Sequence, residues 1–387
     1  MLPVISIRTL GVCGDRVQID EAPGTVGAES RGNESVAHGA TVASKTRLIR
    51  ILVWLCLPIL TACHGAAGSG KVTLTLGGYT TPREAYNRAI IPAFQQYWRA
   101  KTGREVDFQE SYQASGAQSR AIISGFEADI AALSLEGDID RIARSGLIQH
   151  DWKSKKHRGI VSTSIAVIAV RSGNPAGIHD WPDLTRPGLK ILMPDPKTSG
   201  GAQWNVVAIY GAALRGFTDV AKDDPETARQ FLGRLLANVS IMDKGARESI
   251  TNFEKGVGHV AITYENEVLV ARQAGRQYDY VVPRSTVLIE NPVALVDTYV
   301  DKHGVREVAE AFIDFLFTPE AQRAYAKYGL RPVEPEISGE QQISAQFPAV
   351  QDLWKIDFMG GWKRVGTDLF GPAGAYTRTF EQLHSSP

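Results

Sequence analysis

Between a short apolar run at 189–193 and a helix-like segment at 206–214 stands Lys197-Thr198-Ser199-Gly200-Gly201-Ala202-Gln203-Trp204-Asn205. Pro194 and Pro196 interrupt the chain just before it. A hydroxyl and two glycines at such a junction expose backbone N–H groups that the following helix cannot satisfy, and the helix dipole stands behind them. Those groups can hold an oxyanion without a charged side chain. Taken alone, the stretch fits an ordinary capped turn better than an anion site. The turn type recurs, however, at Thr80 after Gly77-Gly78, at Ser115-Gly116 and at Gly245-Ala246. Four copies, two on each side of a long β-branched run at 160–170, make sense together if they converge on one anion.

Other chemistry is missing. The chain has no Gly-x-x-x-x-Gly-Lys-Ser/Thr phosphate loop, no Gly-x-Ser-x-Gly elbow and no His-Glu-x-x-His pair. His150, His157, His179 and His259 are scattered without ligand spacing and read as surface or structural groups. Ser199 has no histidine near it in sequence to act as a base. Glu265 and Glu267 flank Asn266 and would share one face of a continued strand or splay apart in a turn. No metal site, cofactor or enzyme is expected.

The elements that must position the four turns follow an alternating pattern. The chain has 387 residues, enough for two domains with buried cores, and its 42 basic residues balance its 42 acidic ones. This balance, without a basic stripe, gives no case for nucleic acid. Strands are expected at 72–76, 106–108 and 128–134, with helices between them, which argues for α/β architecture. Thr81 should cap a helix opened by Pro82, kinked at Pro92 and stopped at Gly103. Further helices are expected at 225–236, at 305–317, and after Thr318-Pro319-Glu320. The strand at 260–264 should enter a polar turn. Long β-like runs at 160–170 and 292–300 bound a middle segment, as if the chain crossed from one lobe to another and back. The tail beyond Pro335 reads as helix-poor packing.

The three cysteines, Cys13, Cys56 and Cys63, all precede His64. Lys45, Arg47 and Arg50 lead into an apolar run from Ile51 that ends in Leu60-Thr61-Ala62-Cys63. This is the pattern of a secretory signal, and its end resembles the bacterial lipobox, in which the cysteine is lipidated and becomes the first mature residue. Residues 1–42 fit no signal pattern, and translation is expected to start near Val42. Residues 64–69 would be a small tether.

Gly78-Tyr79-Thr80-Thr81-Pro82-Arg83-Glu84, Ile178-His179-Asp180-Trp181-Pro182-Asp183-Leu184, the Pro194 to Asn205 turn and Tyr264-Glu265-Asn266-Glu267 resemble the bacterial periplasmic sulfate-binding protein family. So do Gly245-Ala246-Arg247 and Pro319-Glu320-Ala321-Gln322. The likeness covers 71–387. It implies a two-lobed α/β clamp of the type II periplasmic binding-protein (Venus-flytrap) fold with a ligand cleft between the lobes. By that reading, 1–62 are upstream residues and signal and 63–70 the lipid-anchored tether. Lobe 1 takes 71–165, lobe 2 takes 166–291, and 292–387 return to lobe 1 and end in the tail.

The resemblance further implies sulfate, with thiosulfate or another tetrahedral oxyanion as the alternative ligand, held by the backbone N–H groups of Thr80, Ser115, Gly200, Gly201 and Ala246, by Ser199, and by the side chain at Tyr264. Arg247 would support them. The protein would be a monomer anchored to the outer face of the cell membrane through Cys63. It would deliver its anion to an ABC-type permease driven by a separate ATPase. An ester-cleaving enzyme or a sensor on the same fold is the alternative. Family members commonly carry Trp where Tyr264 stands and Asp where Thr80 stands. An indole only donates, whereas a phenol can also accept. Tyr264 is therefore expected to exclude protonated phosphate less well than Trp does. An unchanged sulfate-to-phosphate ratio in Tyr264→Trp would contradict that expectation.

Overall fold

Long runs of β-branched residues separated by short polar turns dictate the frame. The computed structural model describes residues 71–385; the signal, Cys63 and the proposed start near Val42 lie outside the described residues. Strand β1 (Val72–Tyr79) runs parallel to β2 (Val106–Gln113) and to β3 (Ile130–Ala132) on its other side. Then comes β4 (Ile160–Arg171), twelve residues long. It is followed by β5 (Ile191–Pro194), β6 (Val239–Asp243), β7 (Val260–Tyr264), β8 (Tyr278–Val281) and β9 (Ser285–Leu295). Two short strands, β10 (Arg331–Pro332) and β11 (Asp352–Trp354), complete the set.

The length of β4 and β9 makes two lobes out of one chain. Residues 160–165 of β4 pair antiparallel with 288–292 of β9. Beyond that ladder the strands diverge. Residues 166–170 of β4 pair with β7, which leads on to β5 and β6, whereas 293–295 of β9 pair with β3, which leads on to β1 and β2. Each sheet buries apolar side chains on both faces, as parallel sheets under helices do. Leu74, Phe94, Phe312 and Tyr325 fill one face of the first sheet and Ile122, Leu133 and Trp152 the other. Ile168, Trp204 and Phe231 fill one face of the second, with Val167, Phe253 and Val268 opposite.

Several local expectations change. Thr81 makes no cap bond, and the helix Arg83–Ala85 follows Pro82. It widens into a π-turn, Tyr86–Ile90, before the α-helix Ile91–Thr102 resumes with Pro92 in its first turn. Pro92 has no N–H to continue the ladder, so the break falls there. The run expected at 292–300 begins at Ser285 and stops at Leu295, where the helix Asp297–His303 takes over. Pro292 is tolerated inside the strand because the pairing with β4 slips between Ile160 and Ser162. The polar turn after Tyr264 is a helix, Glu265–Gln273.

The tail is also more helical than its composition suggests. Helices Gly361–Asp368 and Ala375–Ser385 lie in it, and Trp354, Trp362 and Tyr376 join the core of the second sheet. Trp362 meets Trp204 edge to face at 4.5 Å between centroids. These aromatics supply the apolar face that fixes the tail helices, which intrinsic propensity alone does not show.

Candidate oxyanion site

The four recurring turns behave differently once folded. At the second, Ser115–Ile123 is a helix whose first residue uses its side chain internally. Ser115 Oγ donates to Asp138 Oδ2 at 2.6 Å and accepts from Ser134 N at 3.0 Å. The N–H groups of Ser115 and Gly116 then stand in a first turn that helix geometry leaves without acceptors. Burial pushes the Asp138 carboxyl up, against the pull of Ser115 and Arg141.

The third turn, at Ser199, opens the helix Gly200–Leu214, with Ser199 Oγ accepting from Ala202 N at 3.2 Å. As an acceptor in that bond, the hydroxyl keeps its hydrogen to donate elsewhere. The fourth, at Gly245, opens Ala246–Glu254 with no side-chain cap, so its first N–H groups are not taken by the turn itself.

These helix starts meet. A β-carbon on Gly201 would lie 3.4 Å from Ser199 Oγ, 3.6 Å from Tyr264 Cζ and 3.7 Å from Ala246 Cβ. A β-carbon on Gly200 would collide with Ser134 Oγ at 2.7 Å and Leu135 Cδ2 at 2.8 Å. Gly116 faces the carbonyl of Thr198, which accepts from Ala117 N at 3.2 Å. Gly245 faces Ala114, the residue before the Ser115 helix. Glycine is required at Gly200, where a side chain would strike Ser134, and fits the tight approach at Gly116, whereas Gly201 and Gly245 meet ordinary contacts. Ser115 thus stands on the first lobe against Ser199, Gly200, Gly201, Ala246 and Tyr264 on the second.

Tyr264 closes the group. It ends β7, is 1 % exposed, and its OH lies 2.8 Å from Ser134 Oγ across the interlobe boundary. Burial drives its hydroxyl far above the ordinary phenol value, so it stays protonated. Trp204 Nε1 donates to the carbonyl of the same Ser134 at 2.8 Å. Thr80 is less directly placed: it is half-buried, and its neighbour Tyr79 meets the Tyr264 ring edge on at 6.5 Å.

Arg247 turns away from this wall. Its Nε donates to Glu267 Oε2 at 2.7 Å, and its two terminal nitrogens reach Glu84 at 2.6 and 3.0 Å, joining the lobes. Glu267's charge raises the already high pKa of Arg247. Burial pushes Glu84 up, but the hydrogen bonds and charge of Arg247 outweigh it and hold Glu84 below the usual carboxylate range. Glu265 pairs instead with Arg331 at 2.7 and 2.9 Å, so the two glutamates have separate partners and are no catalytic pair.

Three of the four candidate histidines are occupied elsewhere. His150 meets Asp297, His157 meets Glu334, and His259 accepts from Lys190 N. Among the described residues no cluster could hold a metal ion. A cavity of about 440 Å³ lined by His157, Glu290 and Lys355 lies beside β4 and β9, away from the turns.

Sequence reasoning missed Ser134. It follows the buried strand β3 at the carboxyl end, where ligands gather in open α/β sheets, and that position was the available signal.

The comparisons with known proteins agree in kind. The model of a bacterial extracellular solute-binding protein matches residues 74–331. A sulfate-binding protein of Synechococcus elongatus is 44 % identical over 82 % of this chain and 91 % of its own. A thiosulfate-binding protein of Pseudomonas aeruginosa is 34 % identical over 84 % and 95 %. The solved structure of the sulfate-binding protein SubI from Mycobacterium tuberculosis is 36 % identical, with a TM-score of 0.70, over 77 % of this chain and 99 % of that one.

Proposed function

The chain belongs to the bacterial sulfate-binding protein family of extracellular solute-binding proteins, and from that premise we propose that it captures sulfate between its lobes and delivers it to an ABC importer. Its fold is the two-lobed type II periplasmic binding-protein fold. The observation that carries the proposal is the meeting of Ser199, Ala246 and Tyr264 within 3.7 Å of where a β-carbon on Gly201 would stand, with the Ser115 helix docked on Thr198. Every group offered there is a neutral donor. The N–H groups of Ser115, Gly200, Gly201 and Ala246, with the Ser199 and Tyr264 hydroxyls, suit a dianion that has no hydrogen to give. Thr80 would add its N–H from the first lobe.

Closure about β4 and β9 completes the set, because donors from both lobes are needed to surround a tetrahedral anion. The closed protein would dock on a membrane permease whose ATPase is a separate chain, while Cys63 tethers it to the outer face of the membrane. No cofactor or metal takes part, and no reaction is catalysed.

Calorimetry of the purified protein against sulfate, thiosulfate, phosphate and molybdate tests this reading, with an assay for turnover. Sulfate is expected to bind unchanged and to give no product; binding of none of the four would refute the oxyanion reading. Thiosulfate is the second reading, favoured by the Pseudomonas aeruginosa relative. A competition titration in which thiosulfate displaces sulfate at lower concentration would make it the main ligand. Labelling with a radiolabelled fatty acid, lost in Cys63→Ser, checks the anchor.

A further inference from the structure

Two touching hydroxyls share one hydrogen between them, so the direction of the bond decides what the outer one offers a ligand. Ser134 Oγ and Tyr264 OH stand 2.8 Å apart, and both residues are buried. Ser134 is tied at all its polar atoms. Its N–H donates to Ser115 Oγ, its carbonyl accepts from Trp204 Nε1, and its side chain has Tyr264 OH as its one recorded partner among the described residues. If Tyr264 donated to Ser134, the serine hydrogen would be buried without an acceptor, which costs about as much as a lost hydrogen bond. The opposite direction orphans nothing once an anion is bound beside Gly201. Ser134 donates to the phenol oxygen, and the phenol hydrogen remains for the anion beside Gly201.

We propose that Ser134 is a specificity-determining positioning residue: its hydrogen bond occupies the Tyr264 oxygen and turns the pair into a donor only. A fully ionised tetrahedral dianion is then accepted, and an anion that still carries a hydrogen finds no acceptor at this point of the wall. The inference rests on the sulfate-capture reading. It also revises the expectation that the phenol would weaken the exclusion of phosphate, because the acceptor that made phenol differ from indole is already filled. Gly200 belongs to the same device, since any side chain there would push Ser134 Oγ away.

The test is calorimetry with sulfate and inorganic phosphate on the wild-type protein, Ser134→Ala, Tyr264→Phe, the double variant, and Ser134→Ala combined with Tyr264→Trp. Ser134→Ala should weaken sulfate binding roughly five- to tenfold, the scale of one neutral hydrogen bond. In the Tyr264→Phe background the same change should cost less than about twofold, because no phenol is left to orient. Equal losses in both backgrounds, as a purely structural role would give, overturn the proposal. The pair replaced by an indole, in Ser134→Ala/Tyr264→Trp, should keep the sulfate-to-phosphate ratio within about threefold of wild type. A rise of tenfold or more, on the same scale of mispaired polar groups, means that the natural pair offers an acceptor and overturns it as well. Wild-type protein that binds no sulfate refutes the capture reading itself, whereas sulfate binding with equal losses refutes only the role of Ser134.

Discussion

Two contacts join the lobes within a few residues of each other, and they are built on opposite principles. The wall at Ser134, Gly200, Gly201 and Tyr264 is neutral and made of hydroxyls and backbone. The clasp at Glu84, Arg247 and Glu267 is fully charged. Ala246 and Arg247 are adjacent in sequence, yet one opens its helix beside Gly201 and the other sends its side chain into the clasp. The difference teaches that the charged side chains beside the wall are paired with one another across the lobes, which on the capture proposal leaves the ligand to neutral groups. The charge of Arg247 is more than balanced by two carboxylates, so on the capture proposal the anion would meet dipoles and not a free cation. On the capture proposal, a neutral wall would let a closed site release its ion more readily than a buried ion pair would, since breaking a desolvated pair costs several kcal/mol.

The largest expected effect comes from breaking the clasp. Arg247→Met leaves Glu267, buried, and Glu84, largely buried, as two carboxylates without their cation. Removing one partner of a buried ion pair destabilises by about 3–5 kcal/mol, so a drop of that order in unfolding free energy is expected by denaturant titration. Glu84→Gln should cost far less, because Arg247 keeps Glu267. Equal losses from the two variants would mean that the clasp is not the charged unit described here.

A smaller effect sharpens the wall. Gly200→Ala places a methyl group 2.7 Å from Ser134 Oγ, whereas Gly201→Ala meets only ordinary contacts of 3.4 Å or more. Overpacking of this kind costs about 1–3 kcal/mol, so Gly200→Ala should weaken sulfate binding roughly ten- to a hundredfold. Gly201→Ala should change it less than about fivefold on the same scale. Calorimetry on both variants reads the contrast, and a reversed order would place the close approach on the wrong glycine.

How much of this was legible in the sequence follows from which signals are local. The turns at Ser115, Ser199 and Gly245 were readable because hydroxyl and glycine chemistry before a helix is written in a few adjacent residues. The helix Pro225–Leu236 was readable too, from its apolar stripe and its Pro at the first position. What pairs across the lobes was not. Nothing in Ser134 announces Tyr264, 130 residues away, and Glu267 names no partner until the fold brings Arg247 to it. The helices of the tail failed for a related reason. Their apolar faces are completed by Trp204 and the core of the second sheet, so local propensity understated them. Pro292 misled the strand boundary because only a tertiary register slip excuses it.

The smallest effect concerns pH, and it separates the neutral wall from every charged region. Tyr264 is held protonated by burial, and sulfate remains a dianion near neutrality, so the affinity should change less than about threefold between roughly pH 6 and pH 9. Stability should not be equally flat. Glu127's hydrogen bond raises His303, burial opposes it, and Asp129 adds to the rise. A histidine whose folded pKa is raised contributes its stabilisation fully below the unfolded value of about 6.5 and loses it as pH rises through the folded value. The thermal unfolding midpoint should therefore fall slightly across that window, since solvent screens a pair this exposed. His303→Asn should flatten the slope and leave sulfate affinity untouched. The group that could join the two regions is Glu267, which burial pushes up against the pull of Arg247. If affinity itself shifts with pH by more than about threefold, and Glu267→Gln abolishes the shift, then the clasp titrates into the wall and the division between them fails.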